Sequence, residues 1–378
     1  PPKELPMPRP VTLLVLVALA GLPTLPALGQ PAEEPKVEVV ARGLVNPWGM
    51  AFLPDGRALV TERPGRLRIV NLRAGVAGAP ITGLPPIAAV GQGGLLGLAL
   101  DPDFATTRQV FLCFAESRDG GTGTSVFRGR LSASFAALEE GQVIFRQMPA
   151  GNTGRHFGCR LVFGRDGTLF ITLGDRGNME KEAQNLANHI GKVIRITKDG
   201  TVPPDNPFVN RADAKPEIWS YGHRNVQGAT LHPETGRLYT IEHGARGGDE
   251  INQPQAGRNY GWPVITYGID YSGAKIGEGT RKAGMEQPLF YWDPSIAPSG
   301  AMFYTGDKFP KWRGHLFTGA LAGQLLARLE MRNGQVIGET RMLEREGDRI
   351  RDVVQGPDGY IYLLTDDREG KLLRLVPR

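Results

Sequence analysis

Cysteine is scarce in this chain of 378 residues: only Cys113 and Cys159 occur. A thiolate zinc site needs more of them, so none is expected. Each lies in an apolar, strand-like run, Val110-Phe111-Leu112-Cys113-Phe114 and Cys159-Arg160-Leu161-Val162-Phe163. For such a pair a disulfide and two buried free thiols both stay open. Also missing is any dense block of Lys or Arg, despite a net charge of +5, which argues against a nucleic-acid partner. Sustained helical periodicity is nearly absent. The best short candidate, residues 179–189, contains Asn and Gln and suits a loop equally well. Beyond residue 30 no apolar run is long enough to cross a bilayer as a helix, so no stable membrane insertion is expected.

What the chain has in quantity is turn residues, Gly 51 and Pro 30, without low-complexity repeats. That combination points to many turns between short strands. Residues 1–30 read differently. Lys3 and Arg9 precede an apolar run from Val11 to Ala20, then Pro23, Pro26 and the small-residue exit Ala27-Leu28-Gly29. This order matches a secretory signal peptide, so cleavage and a periplasmic or secreted location are expected, leaving 31–378 as a single domain.

Within that domain one pattern returns six times. A turn rich in Asp and Gly precedes an alternating apolar strand: Pro54-Asp55-Gly56 before Ala58-Leu59-Val60-Thr61, Arg165-Asp166-Gly167 before Leu169-Phe170-Ile171-Thr172, Pro233-Glu234-Thr235-Gly236 before Leu238-Tyr239-Thr240-Ile241, and Pro357-Asp358-Gly359 before Tyr360-Ile361-Tyr362-Leu363. Two looser copies are Asp101-Pro102-Asp103 before Val110-Phe111-Leu112 and Tyr304-Thr305-Gly306-Asp307 before His315-Leu316-Phe317. Asp-Gly supplies the positive φ that a tight hairpin turn needs. The copies recur about every 50 to 75 residues, the spacing of propeller blades carrying loop insertions. The expectation is an all-β chain, a six-bladed β-propeller of four-stranded antiparallel blades. Radial blades bring loops that are distant in sequence together around one channel mouth.

Four loop segments are too polar and Gly-rich to be mere connectors. Gly91-Gln92-Gly93-Gly94-Leu95-Leu96-Gly97 lacks the spacing of a phosphate loop, and no Gly-Lys-Ser/Thr comes after it; its glycines suit close backbone approach. Asn152-Thr153-Gly154-Arg155-His156-Phe157-Gly158 is followed, after one strand, by Leu173-Gly174-Asp175-Arg176-Gly177. A His entering a strand and an Asp leaving the next can meet, and the carboxylate then fixes the imidazole tautomer and raises its basicity; a structural His fits the same pattern. Gly222-His223-Arg224-Asn225-Val226-Gln227-Gly228 offers a cation and an amide to an oxygen-rich ligand, or is a surface turn. Glu242-His243-Gly244-Ala245-Arg246-Gly247-Gly248-Asp249-Glu250-Ile251-Asn252, followed by Asn259-Tyr260-Gly261-Trp262, places consecutive carboxylates in a Gly-rich loop. That suits a hard, oxygen-seeking cation such as calcium, although the EF-hand pattern is absent.

Taken in order, Gly-His-Arg-Asn-x-Gln-Gly, Gly-Asp-Glu-Ile-Asn and Asn-Tyr-Gly-Trp-Pro make the chain resemble the soluble aldose and glucose dehydrogenases that use pyrroloquinoline quinone (PQQ). The resemblance runs from Leu44-Val45-Asn46-Pro47-Trp48 to Leu364-Thr365-Asp366 and is closer to the aldose branch. It implies oxidation of an aldose at C1 to the lactone, with PQQ and calcium as cofactors and an unknown electron acceptor (quinone, cytochrome or dye). His156 would be the base, Asp175 its orienting partner, and Arg224 the cation facing charge that develops on the quinone. Gln92, His156, Arg224, Asn225, Arg349 and Arg351 would contact PQQ, and the Gly244 and Ala245 carbonyls would hold the calcium that binds it. Further calcium would involve Glu250 with the Tyr260 carbonyl, and Thr266, Gly268, Asp270 and Glu286. Gln92, Asp175, Tyr291 and Trp292 would line the sugar site. One departure stands out: Ala322 occupies the position where relatives carry a Lys that reaches a PQQ carboxylate, a loss that Arg246 or Lys311 would have to make good. Two other classes fit the same loops less fully: a calcium-dependent propeller lactonase, and a propeller that binds without catalysis.

Overall fold

The computed structural model describes residues 34–378; the expected signal peptide lies outside the described residues. Twenty-four strands form six four-stranded sheets. In five of them the strands follow one another in sequence, as in Pro47–Phe52, Ala58–Glu62, Arg66–Asn71 and Val76–Ala77. The first strand of each sheet packs beside the first strands of its two neighbours, for example Leu95–Leu100 against both Pro47–Phe52 and Leu161–Phe163. The sheets are therefore blades arranged around a central channel, and the expected propeller is observed.

Closure is between the two ends of the domain. Lys36–Leu44 pairs antiparallel with Gly370–Val376 and completes the blade begun by Ile350–Gln355 and Ile361–Thr365. All six repeated turns lie between the first and second strands of their blades, and the strand after each turn is the blade's second strand. These second strands are apolar and buried; Ala58–Glu62, Leu238–Glu242, Leu316–Ala320 and Ile361–Thr365 are buried at every position. A strand covered on both faces by neighbouring blades loses its polar side, which is why these runs read as nearly continuous hydrophobic stretches.

Hydroxyls pin one blade to the next where apolar packing alone leaves sliding free. Thr172 Oγ1 donates to the Val226 carbonyl at 2.8 Å and Ser299 Oγ to the Ile350 carbonyl at 2.6 Å. Asp352 ties three blades across the channel, accepting from the Met50 amide and from Arg160 Nη1, each at 3.0 Å. Residues 179–189 form a connecting loop with one 3-10 turn, Glu180–Gln184. Only one four-residue α-helix, Phe104–Thr107, occurs among the described residues.

Candidate active site

Because the Asp-Gly turns mark one face, the segments entering each first strand, and those joining second to third strands, lie on the other. Gln92, His156, Arg224, Asn225 and Arg349 enter first strands, while Asp175, Gly244, Ala245 and Ala322 come after second strands. Residues separated by more than 250 positions thus share one face of the propeller.

His156 sits at the centre of a dense set of contacts. Its Nδ1 lies 2.6 Å from Asp175 Oδ1, and its backbone amide donates to Gln92 Oε1 at 2.9 Å. The Gly177 amide donates to Asp175 Oδ1, and Trp262 Nε1 donates to Asp175 Oδ2, both at 2.8 Å. Asp175 is buried; burial alone would raise its pKa, but His156, Arg224 and these donors hold the carboxyl below its ordinary range. The imidazole goes the same way for the opposite reason: burial lowers its pKa and Asp175 only partly restores it, leaving the ring neutral near pH 7. A neutral imidazole with Nδ1 committed to a carboxylate presents Nε2 as a free base.

Trp262 also carries Arg224, whose guanidinium lies 5.3 Å from the indole ring centre. Arg224 Nη1 donates to the Gly244 carbonyl and, at 3.2 Å, to that of His243. Its backbone amide donates to Glu242 Oε2 at 2.7 Å, while Asn225 Oδ1 accepts from the Gly158 amide at 3.1 Å. His156, Asp175, Trp262, Arg224 and the Gly244 carbonyl therefore form one unbroken line of contacts. A small cavity opens alongside, lined by Arg224, Gly244, Glu250, Tyr260, Trp262 and Thr266.

The donor set at this cavity fits calcium. Glu242 and Glu250 face each other across the hairpin as directly paired residues. Burial, with the Glu242 charge beside it, pushes the Glu250 carboxyl up to about 8. Two carboxylates held together without a cation are costly, and a divalent ion relieves that cost. The Tyr260 carbonyl, beside them, accepts no hydrogen bond among the described residues. The guanidinium groups suit an anionic ligand such as PQQ. Arg349 and Arg351 share a single carboxylate, Asp366, at 3.3 and 3.0 Å, and buried Arg351 keeps Nε without a partner.

Some expectations need correction. Trp292 does not line an entrance: it is buried between blades, with Nε1 donating to Glu339 Oε1 at 2.9 Å. Strand alternation places its neighbour Tyr291 on the other side, 45% exposed and stacked on Tyr267 with ring centres 3.9 Å apart. Asp270 turns back onto the Ser272 amide at 2.8 Å, and Glu286 pairs with Arg258 at 3.5 Å. Both carboxylates of that expected site thus have a local partner. Lys311 lies in the turn Pro310–Trp312 between first and second strands, on the opposite face, so it is no substitute for a Lys at Ala322. Arg246 is on the site's face and exposed. The cysteines, whose state the sequence leaves open, are joined as Cys113–Cys159. Sequence reasoning missed Glu242 as the partner of Glu250 and Trp262 as the link from Asp175 to Arg224. The first was readable from the hairpin register; the second leaves no local signal.

Comparison with known proteins identifies the family. Residues 44–374 match the family described as glucose/sorbosone dehydrogenase. The chain is 49% identical over 346 residues to the aldose sugar dehydrogenase YliI of Escherichia coli (strain K12), covering 90% of this chain and 93% of that protein. It is 26% identical over 441 residues to quinoprotein glucose dehydrogenase B of Acinetobacter calcoaceticus, covering 94% and 91% respectively. Among solved structures, the apo-form of the soluble aldose sugar dehydrogenase from Escherichia coli superposes with a TM-score of 0.88 at 48% identity, covering 91% of this chain and 99% of that one. The PQQ-bound aldose sugar dehydrogenase from Streptomyces coelicolor does so with a TM-score of 0.76 at 28% identity, covering 92% and 99%. The chain belongs to the glucose/sorbosone dehydrogenase family.

Proposed function

We propose that the chain oxidises aldose sugars at C1 to the lactone, with PQQ and calcium as cofactors. The observation that carries this reading is the continuous line from His156 through Asp175, Trp262 and Arg224 to the Gly244 carbonyl. Base, cation and carbonyl oxygen are held against one another on one propeller face, within reach of one small molecule.

His156 Nε2 accepts the proton of the anomeric hydroxyl, and Asp175 stabilises the imidazolium that results. When bound, PQQ would supply a quinone able to accept the hydride that leaves the sugar C1. Arg224, Asn225, Gln92, Arg349 and Arg351 would hold it, with the arginines pairing to its carboxylates. Arg224 would also turn its charge towards a quinone held here, the kind of preorganised electrostatic stabilisation that carries most weight in a site shielded from water. The Gly244 and Ala245 carbonyls would bind the calcium that polarises the quinone, and the Glu242–Glu250 pair with the Tyr260 carbonyl would bind a second ion. Gln92, Asp175 and Tyr291 would border the sugar. The residues 1–30 read as an export signal, consistent with action in the periplasm or outside the cell.

The test is a dye-reduction assay of purified protein given PQQ, calcium, an artificial electron acceptor and a panel of aldoses. Dye reduction that requires PQQ supports the proposal. Hydrolysis of lactones without PQQ replaces it with a hydrolase, and silence in both assays with a binding module.

A further inference from the structure

The turn that presents His156 has an unfavourable backbone. His156 has φ +53° and Cys159 φ +87°, both in the left-handed region that residues other than glycine avoid, with Gly158 between them at φ +63°. Such conformations persist only where the surroundings over-determine them. Four hydrogen bonds brace this turn from neighbouring segments: His156 amide to Gln92 Oε1 at 2.9 Å, Thr124 Oγ1 to the Phe157 carbonyl at 2.7 Å, Gly158 amide to Asn225 Oδ1 at 3.1 Å, and Cys159 amide to the Thr172 carbonyl at 2.7 Å. The only covalent brace falls on Cys159, the residue with the most positive φ of the three, three positions after the imidazole. Its partner Cys113 belongs to Gln109–Arg118, the second strand of the preceding blade. Both cysteines are fully buried in the core shared by the two blades.

We propose that the Cys113–Cys159 bond is a positioning element for His156: it locks the left-handed turn to the preceding blade so that Nδ1 meets Asp175. A bond serving stability alone has no need to sit at the end of the strained turn. This proposal rests on His156 acting as the base.

The test compares the wild type, loaded with PQQ and calcium, with Cys113→Ala/Cys159→Ala and Cys113→Ala/Cys159→Gly. Glycine adopts the left-handed conformation freely. Removing the bond while keeping alanine at 159 is expected to lower kcat about tenfold or more, with sugar KM and PQQ Kd within about twofold of wild type. The glycine pair is expected to regain part of that loss, because its backbone no longer resists the turn. Should the alanine pair fail to fold, Cys113→Ser/Cys159→Ser, which keeps a γ-atom at each position, takes its place. Wild-type kcat in any folded cross-link-free alanine or serine pair, with only Tm reduced, overturns the proposal, as does a glycine pair no faster than its counterpart. An inactive wild type strikes instead at the reading of His156, so the two failures are distinguishable.

Discussion

Replacing Asp175 by Asn keeps its shape and removes its charge, and the surrounding donors decide which way the amide turns. Oδ1 faces two donors, His156 Nδ1–H at 2.6 Å and the Gly177 amide at 2.8 Å, and Oδ2 faces a third, Trp262 Nε1–H at 2.8 Å. An amide with its oxygen towards His156 keeps two of the three bonds and sets its NH2 against the indole N–H. The opposite orientation keeps only the bond to Trp262 and turns the imidazole to the tautomer with Nε2 protonated, which is useless as a base. The first is favoured, so the imidazole stays correctly aligned but loses its counter-charge. An ion pair about 4 Å apart is worth about 4 kcal/mol at an effective dielectric near 20, and part of that survives as a neutral hydrogen bond. A loss of about 2–4 kcal/mol corresponds to roughly 30- to 1000-fold in kcat. Steady-state dye reduction with an aldose measures it, alongside PQQ titration to show that cofactor affinity holds within a few-fold. Removing the anion also lowers the His156 pKa further, so the acid limb of kcat/KM moves to lower pH. A variant with kcat within threefold of wild type refutes the pairing of these residues in catalysis.

Three further outcomes are expected. Ala322→Lys adds a cation on the site's face and tightens PQQ binding by roughly 5- to 150-fold, the effect of about 1–3 kcal/mol, measured by titrating apo-protein with calcium present. Trp262→Phe removes the donor to Asp175 Oδ2 while keeping a ring beneath Arg224, and lowers kcat roughly 5- to 50-fold in the dye assay. Lys192 is fully buried, its Nζ donating to the Glu182 and Ile190 carbonyls, and burial pulls its pKa down to about 7. Between pH 7 and 10.5 the unfolded chain carries a proton there that the native chain does not, so stability conferred at this position rises with pH across that window. Urea unfolding of the wild type against Lys192→Met shows the wild type gaining a few kcal/mol relative to the variant as pH climbs from 7 towards 10.

The fold was legible because each blade repeats one physical necessity: a tight turn with positive φ, then a strand covered on both sides. Even Asp101-Pro102-Asp103, which lacks glycine, leads into a second strand, Gln109–Arg118. The loops of the candidate site were legible for a related reason, since polar, Gly-rich segments stand out only where they interrupt that repeat, just before first strands or after second ones. Contacts between blades were not. Trp262 meets Asp175 across 87 residues and Cys113 meets Cys159 across 46, and nothing local to either partner marks the other. Trp292 was misplaced because two adjacent aromatics on a strand face opposite ways, and only its pairing with Asp249 shows which one is buried. Residues 179–189 wavered between helix and loop because their hydrogen bonds serve the site's scaffold; Gln184 Nε2 donates to Asn259 Oδ1 at 3.0 Å and to the Trp262 carbonyl at 2.7 Å.

The most direct measurement is anaerobic and uses a single turnover. Apo-protein is titrated with PQQ and calcium, an aldose is added, and the quinone absorbance is monitored in the wild type and in His156→Ala. One PQQ bound per chain in both, only with calcium present, and rapid loss of the quinone band in the wild type alone is the predicted result. Equal rates of reduction in the two proteins, or no stoichiometric binding, contradict the claim that one imidazole, one guanidinium and one bound cofactor meet at this channel mouth.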